Sequence, residues 1–201
     1  MTRTIAFIVF LAATVIWFII RHPARRGAKK TAVKISARSP REIVLMAISF
    51  VGLGLIPLAY VITNLIKPRL HFLAFADYAF QPALAWLGTI VFLFSLWLFR
   101  RTHKDLGRNW SVSLDIRETH KLITQGVYAR VRHPMYSAFW LWALAQALLL
   151  PNWIAGLSGI VGFGTLFFGR VFEEERMMQA AFGDEYRDYM RRTWRILPGV
   201  F

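Results

Sequence analysis

The chain has 201 residues, of which 56% are hydrophobic and 18% are charged. Because soluble domains carry about 25% charged residues, this composition favours a membrane protein over an ordinary soluble domain. Lysine and arginine outnumber the acidic residues 25 to 11, and the formal net charge is +14. Such a charge suits an anionic membrane surface or nucleic acid. Cysteine is absent, which excludes disulfides, thiolate metal sites and cysteine nucleophiles.

Four segments without a charged residue are candidates for membrane spans. They comprise residues 4–20, 43–66, 78–99 and 134–169. A spanning helix needs about 20 apolar residues, so each of the first three segments predicts one span. The fourth is too long for one span and is interrupted by Pro151 and Asn152, which predicts a helical hairpin with arms over 134–150 and 153–169. The sequence therefore predicts an all-α integral membrane protein with about five transmembrane helices and additional short cytosolic helices.

Basic residues are distributed unevenly between these segments. Residues 21–41 and 100–132 carry eight lysines and arginines each, and the tail from residue 170 carries six. Because cytoplasmic loops are enriched in basic residues, we expect the N-terminus outside and the C-terminus in the cytosol. Residues 4–20 are followed by no clear small-x-small motif, which favours an uncleaved span over a signal peptide. The basic run at 21–41 contains no aromatic residue, which predicts attraction to anionic lipids and no nucleic-acid partner.

The stretch GVYARVRHPMY precedes the hairpin and places basic residues at its entrance. Pro134 suits the first turn of a helix, and the residue before a proline avoids helical angles, so the first arm begins after His133. The free N–H groups of that helix start lie beside Arg130 and Arg132, and Tyr136 adds a hydroxyl in the first turn. This pattern predicts an anion-attracting corner. Arginines that flank a span for topology alone are the competing interpretation.

The stretch RVFEEER follows the second arm of the hairpin. A helix there places Arg170, Glu173, Glu174 and Met177 on one face, because residues three and four apart are neighbours. Hairpin geometry returns this segment to the side of the membrane on which the first arm begins. We therefore expect carboxylates and guanidinium groups to converge at the membrane edge; a self-paired, solvated helix is the alternative.

The stretch FGDEYRDYMRR follows, with Gly183 as a helix stop. Phe182, Tyr186 and Tyr189 have the spacing of one packed helix face, and we interpret this segment as a cytosolic cap over the site. The glycine-rich GFGTLFFG lies inside a span, where it favours close helix packing over nucleotide binding. The five histidines are scattered and show no metal-ligand spacing, so no metal is expected. A site with both carboxylates and arginines beside lipid suits a zwitterion that carries an amine and a carboxylate.

Three stretches resemble the isoprenylcysteine carboxyl methyltransferase family, which belongs with the membrane phospholipid methyltransferases. They read THKLITQGVYARVRHPMYSAFWLWALAQALLLPNWIAG, EEERMMQAAFGDEYRDYMRR and ILP. The resemblance covers residues 107–198 and is more specific for the superfamily than for the substrate. Two positions depart from the family pattern: Ala138 replaces a usual glycine, and Gln146 lies in AQ rather than in TQ.

The resemblance implies an integral membrane methyltransferase that uses S-adenosylmethionine without a Rossmann domain. It implies a cofactor pocket formed by Gly126, Val127, Tyr128, His133 and Tyr136. It also implies that Glu174 holds the amine end of the cofactor, a role open to Glu173 as well. Arg132 and Glu173 are the implied catalytic residues, Arg132 because it would position an anionic group.

The sequence thus predicts an N-terminal part, 1–105, with transmembrane helices and a basic linker, and a methyltransferase core, 106–201, whose active site faces the cytosol. The expected reaction is O-methylation of a carboxylate on a lipophilic or prenylated acceptor, with membrane lipids as further partners. A carboxylate is already ionised at neutral pH and needs no strong general base. The alternatives are a lipid amine N-methyltransferase, a sterol-type reductase that uses a nicotinamide cofactor, and a lipid-binding protein with a degenerate site.

Overall fold

The computed structural model of the protein describes residues 1–28, 33–36, 39–66, 73–107, 115–117 and 121–200. Its helices are α1 (Arg3–Ala28), α2 (Pro40–Phe50), α3 (Ile56–Ile66), α4 (Pro82–Leu106), α5 (Pro134–Leu149), α6 (Trp153–Phe182) and α7 (Asp184–Arg192). The predicted all-α class is confirmed for the membrane part of the chain. Outside it, two short strands, β1 (Val33–Ser36) and β2 (Asp115–Arg117), pair antiparallel. This ladder was not predicted, because the alternating stretches VKIS and DIR are only four and three residues long and lie within polar, basic linkers.

Among the described residues, four helical segments are long and apolar enough to cross a membrane. They are Arg3–His22, Pro40–Ile66, Pro82–Leu106 and Trp153–Phe182. The predicted hairpin is confirmed, since α5 and α6 are joined by a short turn and pack against each other. Its first arm, α5, has only 16 residues. Its second arm runs well beyond the predicted end at residue 169, because no helix breaker occurs before Gly183, whose φ is 56°.

A π-helical turn joins α2 and α3 into one continuous helical segment. The turn spans Val51–Leu55 and presents Gly52 to α6. The Gly52 carbonyl accepts hydrogen bonds from Ser158 Oγ at 2.8 Å and from Gln146 Nε2 at 3.1 Å. A Cβ atom on Gly52 would lie 2.2 Å from the Ser158 carbonyl oxygen, so only glycine permits this approach. Gln146 therefore locks the hairpin to the N-terminal helices rather than contacting a ligand in the cavity described below.

An aromatic cluster packs α1 and α4 against the hairpin. Trp142 of α5 lies edge-on to Phe92 at a centroid distance of 4.5 Å and to Trp17 at 5.9 Å. Trp17 in turn stacks on Phe99 at 5.6 Å. Such aromatic contacts supply large apolar contact areas with defined geometry, so the N-terminal helices and the hairpin form one packed unit.

A polar network closes the end of the bundle near the hairpin turn. Asp77 accepts hydrogen bonds from Arg3 at 2.7 Å, from Tyr60 at 2.9 Å and from Asn152 Nδ2 at 2.7 Å. Burial alone would raise the pKa of Asp77, but these hydrogen bonds outweigh it and lower that pKa below its usual value. Asn152 also caps α6 by accepting from the backbone N–H of Ala155 at 2.8 Å. The network thus ties α1, α3 and the hairpin turn together.

At the opposite end of α5, the C-terminal segment, residues 193–196, pairs with the chain just before the hairpin. Trp194 forms a parallel bridge with Val131. The backbone N–H of Arg132 donates to the Trp194 carbonyl at 2.8 Å, and that of His133 donates to the Arg195 carbonyl at 2.9 Å. The backbone around the RHP motif is therefore fixed by a segment about sixty residues later in the chain.

Candidate active site

A cavity of about 480 Å³ lies between the C-terminal helices and the first two spans. Its volume is within the range of about 300–1,000 Å³ that small-molecule sites occupy. One end is polar and is lined by residues that precede or begin α5, together with residues of α6 and α7. The other end is apolar and runs between α1, the α2–α3 segment and the hairpin. The cavity therefore joins a charged compartment to the membrane-embedded core.

The first charged group at the polar end is the basic pole, which we define as Arg132, Arg195 and Glu175. Glu175 accepts from Arg132 Nε at 3.0 Å and from Arg195 Nε and Nη2 at 3.1 and 2.9 Å. The side chains of Glu175 and Arg132 are 5% and 8% exposed. Arg132 also donates to the backbone carbonyls of Met190 and Thr193. Two guanidinium groups share one carboxylate, so the basic pole carries an excess positive charge.

The second group is the acidic pole, which we define as Glu42, Arg170 and Glu174. Arg170 lies between the two carboxylates, with Nη1 3.5 Å from Glu42 Oε1 and Nε 3.9 Å from Glu174 Oε2. The Tyr136 hydroxyl donates a hydrogen bond to Glu174 Oε2. Among these three groups, two carboxylates face one guanidinium group, so the acidic pole as defined contains more negative than positive groups.

His133 lies between the two poles. Its Nδ1 is 3.9 Å from Glu174 Oε1, and its Nε2 is 3.4 Å from Glu175 Oε1. The ring stacks on Tyr136 with a centroid distance of 5.3 Å and an interplanar angle of 19°. His133 adopts a non-helical conformation because Pro134 follows it, and this places both side chains at the mouth of α5. The predicted helix start after His133 is confirmed.

A 3₁₀ turn, Gly126–Ala129, forms a further part of the polar wall. Gly126 has a φ of 63°, and a Cβ there would lie 2.1 Å from Asp105 Oδ2. Asp105 accepts from the backbone N–H of Val127 at 3.0 Å. These contacts hold Tyr128 against the cavity, where burial raises the pKa of its phenol.

Helix α7 covers the polar end, as the FGDEYRDYMRR stretch predicted. Tyr186 and Tyr189 line the cavity and are 2% and 3% exposed. The Tyr189 hydroxyl donates to the Tyr128 carbonyl at 2.6 Å. Burial raises the pKa of both α7 tyrosines, so their hydroxyls stay protonated and available as donors.

The apolar arm of the cavity is lined by the N-terminal helices as much as by the hairpin. Helix α1 contributes a stripe with helical spacing that consists of Thr14, Trp17, Phe18 and Arg21. The π-helical turn and α3 contribute Leu53, Gly54 and Leu58. Arg21 lies over the Trp17 ring at 4.9 Å, so a positive charge marks the end of this stripe.

The structure brings together most of the residues that the sequence and the family resemblance single out. The cavity is lined by Tyr128, Arg132, His133, Tyr136 and Glu174. Gly126 and Val127 support the wall through their backbone instead of lining the cavity.

Glu173 does not line the cavity. It borders a separate small crevice with Ser39 and Arg41 of the α2 start. Arg170 borders both the crevice and the cavity, so Glu173 lies beside Arg170 as expected, whereas only Glu174 and Met177 of the expected face turn with Arg170 toward the cavity. Glu175, not Glu173, contacts Arg132.

Sequence reasoning missed Glu175, Glu42 and Arg195. Glu175 belongs to the EEE run, but only the orientation of α6 about its axis determines which of the three glutamates contacts Arg132. Glu42 and Arg195 are far from the motifs, and no local pattern marks them. Among the described residues, no group of three or more metal-ligating side chains is placed to hold a metal ion.

Several known proteins are similar to this chain in sequence. Residues 86–180 match the isoprenylcysteine carboxyl methyltransferase (ICMT) family. A protein-S-isoprenylcysteine O-methyltransferase of Dictyostelium discoideum is 26% identical over 196 residues, which cover 92% of this chain and 71% of the relative. The Homo sapiens protein of the same name is 32% identical over 122 residues, which cover 58% of this chain and 43% of that relative. The chain thus spans less than half of the human protein.

A solved structure shares the fold. It is the structure of the eukaryotic intramembrane Ras methyltransferase ICMT, which matches with a TM-score of 0.51 and 20% identity over 96% of this chain and 85% of that one. Residues 86–180, just under half of the chain, are thus similar in sequence to the isoprenylcysteine carboxyl methyltransferase family, and the chain shares the fold of the solved ICMT structure.

Proposed function

We propose that the protein is a membrane methyltransferase that uses S-adenosylmethionine to methylate the carboxylate of a lipophilic, isoprenylcysteine-like acceptor. The observation that carries this proposal is one continuous cavity that joins two oppositely charged poles to an apolar arm. The apolar arm argues against an enzyme that acts only on soluble substrates. The two oppositely charged groups at the polar end argue against a protein that only binds lipid.

The polar end fits the amino-acid end of S-adenosylmethionine. The acidic pole offers Glu174 to an ammonium group, and Glu174 is 30% exposed, whereas Glu175 is 5% exposed and already committed to Arg132 and Arg195. The basic pole offers excess positive charge to a carboxylate. When bound, this cofactor supplies a methyl group on a sulfonium centre. Tyr128 and the two α7 tyrosines provide aromatic walls around the rest of the compartment.

The residues of the chain bind, orient and exclude water in this reaction. A carboxylate acceptor is ionised at neutral pH, so no group need remove a proton from it. Alignment in a water-excluded site contributes several orders of magnitude in rate. Helix α7 covers the polar compartment, and the apolar arm holds the hydrophobic part of the acceptor in line with it. Arg132 acts as the cation that orients anionic groups, and we assign the amine end to Glu174 in preference to Glu173.

The topology proposed from the basic residues is compatible with this arrangement. With the N-terminus outside and the C-terminus in the cytosol, the polar end of the cavity opens to the cytosol, and S-adenosylmethionine enters from that side. The acceptor then enters sideways from the bilayer. Because the apolar arm is lined by α1 and the α2–α3 segment as well as by the hairpin, we propose that residues 1–105 hold the acceptor together with the hairpin, while the polar residues of 106–201 hold the cofactor.

The test combines binding and turnover on the full chain in lipid nanodiscs. Calorimetry should show binding of S-adenosylmethionine to the wild type, at least tenfold weaker binding to Glu174→Gln, and unchanged binding to Glu185→Gln, an exposed control. Methyl-labelled cofactor should then give a base-labile product with a prenylated cysteine and none with its carboxamide. Absence of cofactor binding to the wild type would overturn the proposal. A base-stable product from membrane amines would replace it with lipid N-methylation.

A further inference from the structure

Glu42 connects the N-terminal half of the chain to the polar end of the cavity. It lies in the first turn of α2, outside the family-matched residues 86–180. Its side chain is 5% exposed and approaches Arg170 of α6 at 3.5 Å. Arg170 is itself 12% exposed and lines the cavity. A carboxylate on a segment without any recognisable motif therefore reaches the charge system of the site.

Glu42 and Glu174 compete for the same cation, the guanidinium group of Arg170. Arg170 is the shared cation, and it lies nearer to Glu42, at 3.5 Å, than to Glu174, at 3.9 Å. In partly buried surroundings, opposite charges at such distances interact strongly. Arg170 alone would neutralise Glu174 and make it a poor ligand for a cation. Glu42 offsets the charge of Arg170, so these three groups together present more negative than positive charge to the cavity.

We propose that Glu42 is a positioning residue that keeps Arg170 in an ion pair and thereby leaves Glu174 available to the amine of the methyl donor. The inference rests on the proposed function, which assigns the donor's ammonium group to Glu174. Glu42 does not line the cavity and is not a catalytic residue. Its effect is on donor affinity, and turnover at saturating donor is unchanged.

A purely structural role for Glu42 predicts a different outcome. Ser39 caps α2 by accepting from the Glu42 backbone N–H at 3.2 Å, and Ser-x-x-Glu is the capping-box pattern, in which the glutamate side chain stabilises the helix start. Glutamine serves equally well at that position of a capping box. The substitution Glu42→Gln therefore removes the charge while it preserves the cap.

The experiment measures S-adenosylmethionine binding by calorimetry and steady-state kinetics with a prenylated cysteine, using the full chain in nanodiscs. For Glu42→Gln we expect the donor Kd and KM to rise roughly tenfold, with kcat and the acceptor KM unchanged. Glu185→Gln is the matched control, because Glu185 is also an acidic residue in the first turn of a helix, yet exposed. Its donor Kd should equal that of the wild type.

The double variant Glu42→Gln/Arg170→Gln separates charge from structure. It has the same net charge as the wild type at this pole and leaves Glu174 without the neutralising cation, so donor affinity should recover to within about threefold of the wild type. If Glu42 acts only on folding, the double variant binds no better than the single one, and the inference fails. Unchanged donor affinity in Glu42→Gln also overturns it. Failure of the wild type to bind the donor would instead refute the proposed function itself.

Discussion

Glu175 is the buried carboxylate on which the basic pole depends, and the substitution Glu175→Gln tests how much the fold relies on it. The side chain is 5% exposed and accepts three hydrogen bonds of 2.9–3.1 Å from Arg132 and Arg195. Glutamine keeps the volume and one carbonyl acceptor but leaves two guanidinium groups facing each other. Removing one partner of a buried ion pair costs about 3–5 kcal/mol. Because Arg195 is 19% exposed and retains some hydration, we expect a loss of about 2–4 kcal/mol in the free energy of unfolding.

Unfolding in mixed micelles with increasing denaturing detergent, followed by tryptophan fluorescence, measures this loss. Asp184→Asn is the control, because Asp184 pairs with Arg187 at 2.6 Å but with side chains 87% and 61% exposed. Exposed pairs contribute little to stability, so the control should unfold like the wild type. A loss below about 1 kcal/mol in Glu175→Gln would show that the buried charge is not the organising element of this pole.

Three further predictions concern the residues that support the site. Gly52→Ala should lower the free energy of unfolding by about 1–3 kcal/mol in the same detergent titration, because its Cβ would lie 2.2 Å from the Ser158 carbonyl oxygen. Gly54→Ala is the control, because its Cβ would meet only ring atoms at 3.7 Å or more; equal losses in both variants would contradict close packing as the cause. The pKa of Asp77 is lowered in the folded state. The stabilisation that Asp77 provides is therefore complete above the unfolded-state pKa of about 3.9 and is lost as the pH falls through the lower folded-state pKa. The free energy of unfolding should fall more steeply with decreasing pH in the wild type than in Asp77→Asn over this range, and parallel curves would refute this. Tyr189→Phe removes the hydrogen bond to the Tyr128 carbonyl, which should cost about 1–2 kcal/mol and weaken the proposed binding of S-adenosylmethionine. An unchanged unfolding midpoint would contradict this prediction.

Local signals predicted the membrane class, the hairpin and the residues that converge at its mouth. A proline after His133 sets the start of α5, and an uncharged run broken at Pro151 and Asn152 sets the turn. Both effects act within a few residues, so sequence alone reveals them. Because the two arms of the hairpin run in opposite directions, Tyr136 at the start of α5 lies beside Glu174, which follows 38 positions later in the chain.

The parts that sequence did not predict depend on long-range packing. Assigning Arg132 to Glu175 rather than to Glu173 requires the rotation of α6 about its axis, which is set by contacts such as Gly162 against the α2 backbone. Arg195 reaches Glu175 only because residues 193–196 pair with the chain before the hairpin. Glu42 reaches the site across a separation of more than a hundred residues. None of these contacts leaves a periodic or spaced pattern in the sequence.

The brevity of α5 has a consequence for the surrounding lipid. Its 16 residues extend about 24 Å along the helix axis, whereas the hydrocarbon layer of a typical bilayer is about 30 Å thick. The hairpin turn, with Asn152 and Asp77, is therefore drawn inward, and the adjacent leaflet must bend to meet it. Each ångström of mismatch costs a fraction of a kilocalorie per mole. The stability of this protein should therefore depend on acyl-chain length, and it should be highest in thin membranes and fall progressively as the lipids lengthen.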